Sequence, residues 1–419
     1  SPIRHVAGKK TFMTDPETTM PGHATVGAIS CRTTVQALAT MCTIVPAAIA
    51  PELARAFGVP AAMIGFQVSL IYAGALVMSL IGGQLVRRLG AARTSQAALT
   101  LAGSGLALSA TSSLTGFAIG SVLVGFGYGL TNPAASHLLM QVVKPKNRNI
   151  IFSLKQTGVP LGAVLAGLAA PSLTLMLGWQ WAFLVAAGVT LGFMIALQPL
   201  HHRWDGDRDP TIRLRQNPIA DLRMVLGLPA LRWLSMASFC FSAVQISLST
   251  FAVTMLVQDL RFGLVQAGIV LSVLQVAGAS GRLAWGGVAD WHGNGNRVLM
   301  GVGLIATAAG VMTMFLAPGE AVGIVYAVLI LFGFSAIGWN GVFLAEVARL
   351  APEGRTGSAT AGALVPTYAG VLMGPMTFAG LYALTGQYTV SFGLFAVISL
   401  AGAALILMAQ GVTGGLRRG

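Results

Sequence analysis

Twelve apolar runs, each close to the length needed to cross a bilayer, follow one another through the chain. A spanning helix takes about 20 mostly apolar residues. The first six runs fall at 25–49, 60–81, 95–110, 115–142, 150–176 and 181–200, and six more at 231–257, 264–285, 298–316, 321–346, 357–384 and 389–410. Only 9% of the 419 residues are charged and 55% are hydrophobic, where a soluble domain carries roughly 25% charged residues. The class is therefore an all-α integral membrane protein. The formal charge of +13 does not argue for nucleic acid, because the positive residues form short clusters between the runs and set orientation.

Every second loop is basic: Arg87, Arg88 and Arg93, then Lys144, Lys146 and Arg148, then Arg203 through Arg223, then Arg297, then Arg349 and Arg355. The alternate loops hold only Arg55 and Arg261. Positive residues stay on the cytoplasmic side, so both termini are expected there, with the chain in an inner (cytoplasmic) membrane. The expected division is a tail at 1–24, a six-helix bundle at 25–200, a cytoplasmic linker at 201–230, a second bundle at 231–411 and a tail at 412–419. The first run is too long for a signal-peptide core and has no obvious cleavage site, and Met13 is a candidate natural start. Cys31, Cys42 and Cys240 lie in apolar runs without metal-ligand spacing, so no metal, cofactor or disulfide framework is expected.

The halves repeat. "GQLVRRLG" at 83–90 lines up with "GGVADWHG" at 286–293, each expected in the loop between the second and third helices of its half, and "GFGYGLTNP" at 125–133 lines up with "GFSAIGWNG" at 333–341. With "SGRLAWG" at 280–286, these stretches resemble the signature of the major facilitator superfamily. The C-terminal copy keeps Gly286, Val288, Ala289, Asp290 and Gly293; the N-terminal copy keeps Gly83, Leu85, Arg88 and Gly90 but has Arg87 where that family carries Asp. "GVPLGAVLAGLAAP" at 158–171 is similar to that family's fifth helix, whose small residues let helices approach closely. The resemblance implies two six-helix bundles, a secondary transporter working by alternating access, and a cytoplasmic charge network formed by Asp290, Arg282, Glu346, Arg355 and Arg88 as gate. A site at the midplane between repeats follows from such an arrangement.

Charges at membrane depth are costly and default to functional candidates. All twelve Asp and Glu fall in tails, loops, the linker or helix ends. Two cations lie deeper: Lys155, seven residues past Arg148 and so about 10 Å along a helix, and Arg32 in the first run. Without a carboxylate partner, a bound anion would neutralise them. Snorkelling of Lys155 to the headgroups and pairing with Glu346 stand as alternatives. Polar spacing on one helix face marks Gln36, with Thr40 and Thr43, and likewise Gln245, with Ser242 and Ser249, and Gln275, with Ser272, as cavity lining or interhelical glue. Tyr128, Asn132, Trp339, Asn340 and Tyr368 are further candidates for the site or for packing. His137 is a candidate proton carrier or a structural hydrogen-bonding residue.

These residues favour carriage of a small organic anion, a carboxylate first, with protons or a counter-transported anion as candidate co-partners and the lipid bilayer as surroundings. Export of drugs or other apolar compounds, and a non-transporting receptor or assembly factor on the same fold, are the alternatives. An enzyme is disfavoured: the chain has no phosphate-binding G-x-x-x-x-G-K loop, no H-E-x-x-H and no nucleophile elbow.

Overall fold

The computed structural model describes residues 22–142, 155–200, 204–206, 208–211, 218–353 and 355–416. The expected N-terminal tail and the cluster Lys144, Lys146 and Arg148 lie outside the described residues.

The apolar runs become twelve helices, and among the described residues there is no strand. The first half comprises α1 Gly22–Ala48, α2 Ile64–Leu89, α3 Ala91–Ser109, α4 Leu114–Val142, α5 Gly158–Leu177 and α6 Trp179–Ala196. The second comprises α7 Pro229–Gln258, α8 Leu264–His292, α9 Gly295–Thr313, α10 in two pieces (Val322–Ala336 and Asn340–Leu350), α11 Thr356–Thr385 and α12 Tyr388–Leu416. Eleven described spans are long and apolar enough to cross a membrane. The remaining helix, α3, carries Arg93, Thr94, Ser95 and Gln96 in its first turns.

The helix boundaries correct the sequence reading in three places. The stretches expected as loops between second and third helices are helical: α2 runs to Leu89 and α8 to His292, leaving Gly90 and Gly293–Asn294 as the connections. Gly90 has φ +96°, and a Cβ there would meet Asp205 at 2.3 Å, so only glycine fits. The tenth helix, expected as continuous, breaks at Ile337–Trp339. In the linker, Pro218–Gly227 forms a further helix.

Glycine contacts set the distance between helices. A Cβ on Gly162 would lie 2.1 Å from the carbonyl oxygen of Ala37, and one on Gly158 would lie 2.6 Å from that of Thr33. The backbone of α5 therefore lies directly on α1. In the same way Gly125 and Gly129 bring α4 onto the carbonyls of Ile71 and Ala75 in α2, and Gly281 brings α8 onto Phe334 of α10. Outward, α5 and α6 present Leu168, Leu175, Met176, Trp181, Val189 and Ile195, which have no protein cover and suit lipid.

The halves meet mainly through α5 with α8 and α2 with α11. The close contacts are Gly167 on Gly268, the Ser272 hydroxyl donating to the Val164 carbonyl at 3.2 Å, and the Ser69 hydroxyl donating to the Leu372 carbonyl at 2.7 Å. These lie toward the arginine-poor end of the helices, whereas α4 and α10 share no extensive packing among the described residues.

Gly162→Val should lower the melting temperature in detergent and broaden the size-exclusion peak, because the added carbons overlap the α1 backbone. Gly188→Ala, where a Cβ has nothing within 4 Å, should leave both unchanged.

Candidate functional site

Lys155 is placed by the α1–α5 contact. It occupies the helical turn just before α5 and is only 3% exposed, so its ammonium does not snorkel to the headgroups. The Nζ donates to Gln36 Oε1 of α1 at 3.0 Å, to Gln156 Oε1 at 3.3 Å and to Asn132 Oδ1 of α4. All three acceptors are neutral amides. Burying an ammonium is tolerated only where its donors are satisfied, and here the three hydrogen bonds use all three donors.

Asn132 lies one helical turn beyond Tyr128, on the same face of α4. The Tyr128 hydroxyl lies near Thr40 of α1 and Tyr72 of α2, and the Tyr72 and Tyr128 rings meet edge to face at 5.8 Å. Tyr368 of α11 lies near Ser79 of α2 and within electrostatic range of Tyr128 and Tyr72. Arg282 of α8 also lies within electrostatic range of Tyr128. Two cations, one from each half, thus flank about one turn of α4. Tyr72, Tyr128, Asn132, Arg282 and Tyr368 are all half-buried although they sit mid-helix, as residues lining an internal space would be.

In the second half, Gln245 Oε1 accepts from Trp339 Nε1 at 2.9 Å and Asn340 Nδ2 at 3.0 Å, across the break in α10. Arg282 Nε donates to the freed carbonyl of Ile337 at 3.2 Å. Broken helices with such side-chain ties occur where a helix lines an internal site. Gln275 Nε2 donates to Ser249 Oγ at 3.0 Å. Ser242 instead donates to the Thr367 carbonyl at 2.8 Å and acts as α7–α11 glue. His137 is half-buried on α4, and no role in the cluster follows from its position.

Arg32 is engaged elsewhere. It is 1% exposed, donates through Nη1 to Ser95 Oγ and the Ala91 carbonyl, and lies 4.8 Å from the centre of the Trp204 ring. Such cation–π contacts contribute about 2 kcal/mol when desolvated. The linker is thereby strapped to the first half. Asp205 caps α3 by accepting from the Ala92 amide at 2.7 Å, and the Asp209 amide donates to the Arg87 carbonyl at 2.8 Å. Hydrogen bonds from the Thr211 hydroxyl and amide hold the exposed Asp209 carboxyl below its ordinary range.

Among the described residues, no ion pair joins the five residues expected to form a gate. Glu346 is bound by Arg349 at 2.5 Å, its neighbour one turn on, and abuts Gly295 at the start of α9. Asp290 and Arg88 are exposed, and Arg355 contacts the Met224 sulfur, at 3.8 Å. Arg282 lies ten residues before the end of α8, about 15 Å from it, which places it with the tyrosines. Sequence spacing missed Tyr72, Ser79, Gln156 and Trp204. The polar residues among them sit singly in apolar helices and form no stripe.

The model of the Major Facilitator Superfamily matches residues 33–365. The chain belongs to that superfamily. An uncharacterised MFS-type transporter of Mycobacterium tuberculosis (strain CDC 1551 / Oshkosh) is 26% identical over 373 residues, covering 85% of this chain and 79% of that protein. The 3-(3-hydroxy-phenyl)propionate transporter of Escherichia coli (strain K12) is 28% identical over 251 residues, 57% of this chain and 58% of that protein. The 4-hydroxybenzoate transporter PcaK of Acinetobacter baylyi (strain ATCC 33305 / BD413 / ADP1) is 27% identical over 148 residues, 35% and 32% of the two chains. The crystal structure of a bacterial homologue of the human lysosomal transporter Spinster shares the fold, with a TM-score of 0.76 at 15% identity over 93% of this chain and 98% of that one. This superfamily member is therefore a multi-pass membrane transporter and not an enzyme.

Asn132→Leu should destabilise the protein by about 1–3 kcal/mol, the penalty of leaving a buried donor unsatisfied. Adding Lys155→Met should recover much of that loss. A double-mutant cycle on thermal unfolding checks it, and additive losses would mean that the two side chains are not coupled.

Proposed function

We propose that the protein is a secondary transporter for a small organic anion, an aromatic carboxylate foremost, carried across the cytoplasmic inner membrane by alternating access with both termini in the cytoplasm. The observation that supports this reading best is the pair of deep cations, Lys155 and Arg282, one from each half, flanking a tyrosine-lined turn of α4 with no carboxylate among their described hydrogen-bonding partners.

In this reading Arg282 grips the carboxylate, since a guanidinium presents a planar fork that an ammonium lacks. Lys155 supplies the second positive charge. Tyr72, Tyr128 and Tyr368 form the aromatic wall, and Gln36, Asn132, Gln245 and Asn340 orient polar substituents. Gln275 supports Ser249 behind that wall, and Arg32 braces the linker. The aromatic cargoes that give the two distant transporter relatives their names agree with a tyrosine-lined anion site. Contact between the halves toward the arginine-poor end leaves the arginine-rich end as the open one. Rocking about the contacts of Ser69 with Leu372 and of Gly167 with Gly268 would close it. Asp290, Arg88 and Arg355 stand at that end, free to pair in the opposite state.

The test is thermal stabilisation of the purified protein by benzoate, 4-hydroxybenzoate and 3-phenylpropionate. A ligand that binds only the folded state at 100 times its dissociation constant adds about 2.7 kcal/mol. At least one of these carboxylates should raise the melting temperature of the wild type. Lys155→Ala and Arg282→Ala should each abolish the shift. Equal shifts in the variants, or none in the wild type, would remove the anion reading and move attention to uncharged compounds.

A further inference from the structure

Resting on the anion-carrier reading, we propose that Lys155 is also the proton carrier, so that each anion crosses together with one proton held on the Lys155 amine.

The chemistry lies in the acceptors around Nζ. A carboxylate can only accept hydrogen bonds and would pin lysine in its charged form, whereas a carboxamide has an accepting oxygen and a donating NH₂ at opposite ends of one rotatable group. With lysine protonated, Gln36, Asn132 and Gln156 turn their oxygens to its three N–H groups, as observed. When lysine is neutral it has two donors and one lone pair. Turning over Gln36 or Asn132 then points an NH₂ at that lone pair and leaves the other two bonds in place. The terminal amide torsion is soft, so either charge state is satisfied without backbone movement.

Among the described residues no carboxylate faces the Lys155 amine. Among the described residues, the charged group in electrostatic range of Lys155 is Arg32, one turn before Gln36 on α1, and it has the same sign. On α4 the titratable groups are Tyr128, one turn before Asn132, and His137, five residues after it. On the segment leading into α5 the neighbour is the neutral Gln156. The buried carboxylates among the described residues, Asp205 and Glu346, are occupied at the starts of α3 and α9.

The cycle then balances. On one face the amine takes a proton and the resulting ammonium pairs with the incoming carboxylate; on the other face the carboxylate leaves and the ammonium returns its proton to water. Arg282 keeps its charge throughout. The site holds one net positive charge both when loaded (Arg282, Lys155 ammonium and anion) and when empty (Arg282 and Lys155 amine). The loaded and empty carriers therefore move the same charge in opposite directions, and transport is electroneutral.

Proteoliposomes with [¹⁴C]benzoate and [¹⁴C]4-hydroxybenzoate test this, after subtraction of protein-free vesicles to remove diffusion of the free acid. Wild-type accumulation should rise about tenfold for each pH unit of inward gradient and ignore a potassium–valinomycin potential. Lys155→Arg keeps the charge but cannot release the proton. It should retain anion counterflow, lose the response to the pH gradient and become sensitive to potential. Asn132→Asp, which places a carboxylate on the ammonium and pins it charged, should likewise lose the response to the pH gradient, with weaker anion counterflow because the added carboxylate offsets the Lys155 charge, and serves if the arginine variant does not fold. Wild-type uptake indifferent to the pH gradient would overturn the proton role while the anion reading stands. If neither anion moves in the wild type, both fall together.

Discussion

The Lys155 ammonium in its ring of neutral amides is the interaction on which the interior of this transporter depends. An ammonium buried without a partner is strongly destabilising, and one paired with a buried carboxylate is held in place by charge. Three amide oxygens from α1, α4 and the turn before α5 give a third solution. It satisfies every donor and leaves the positive charge uncancelled. This works only if three helix segments converge within hydrogen-bond distance of one atom. That convergence needs Gly158 and Gly162 against α1, and Gly125 and Gly129 holding α4 against α2. The small residues are thus conditions for the polar chemistry.

The two halves use one frame for two purposes. In the aligned stretches Asn132 corresponds to Asn340, and the first helix of each half also carries a glutamine near its middle, Gln36 and Gln245. In the second half the amides bond directly, Asn340 to Gln245, and the Trp339 indole fills the remaining acceptor capacity. In the first half the same pair is spread apart around an ammonium. The second half's cation comes instead from Arg282, tied to the carbonyl freed where α10 breaks. A duplicated scaffold has become asymmetric by placing one cation between the amides and the other beside a helix break. Each half therefore carries one deep positive group.

Much of the fold was legible, because length and hydropathy of a membrane helix are fixed by the bilayer. Predicted and observed bounds agree within a few residues for most helices, including 115–142 against Leu114–Val142 and 357–384 against Thr356–Thr385. The break in α10 was hidden because Ile337, Gly338 and Trp339 are as apolar as their neighbours. The site was legible only where charge or spacing gave a signal. Lys155 stood out as a charge without a counter-charge, and Gln36 and Gln245 as members of stripes. Tyr72 and Gln156 had no such signal, since what makes them part of the cluster is which helix lies opposite. Arg282 was visible through its motif, which suggested a gate, but not its depth, since α8 runs almost three more turns beyond it.

The placement of the carboxylates completes the electrostatic argument. Asp205 and Glu346 sit at the first turns of α3 and α9, equivalent helices of the two halves, where backbone N–H groups and the helix dipole favour negative charge. In one case the carboxylate comes from the linker and caps α3; in the other it comes from α10 and lies against Gly295, while Asn294 caps α9 by accepting from the Arg297 amide. Each is also held locally, Asp205 by α3 amides and Glu346 by Arg349. Neither is available to Lys155 or Arg282. Because a charge in a low-dielectric interior is screened far less than at the surface, keeping these acids at the helix ends preserves an attractive field for negative charge near the middle of the bundle. Moving one acid two turns inward would cancel it.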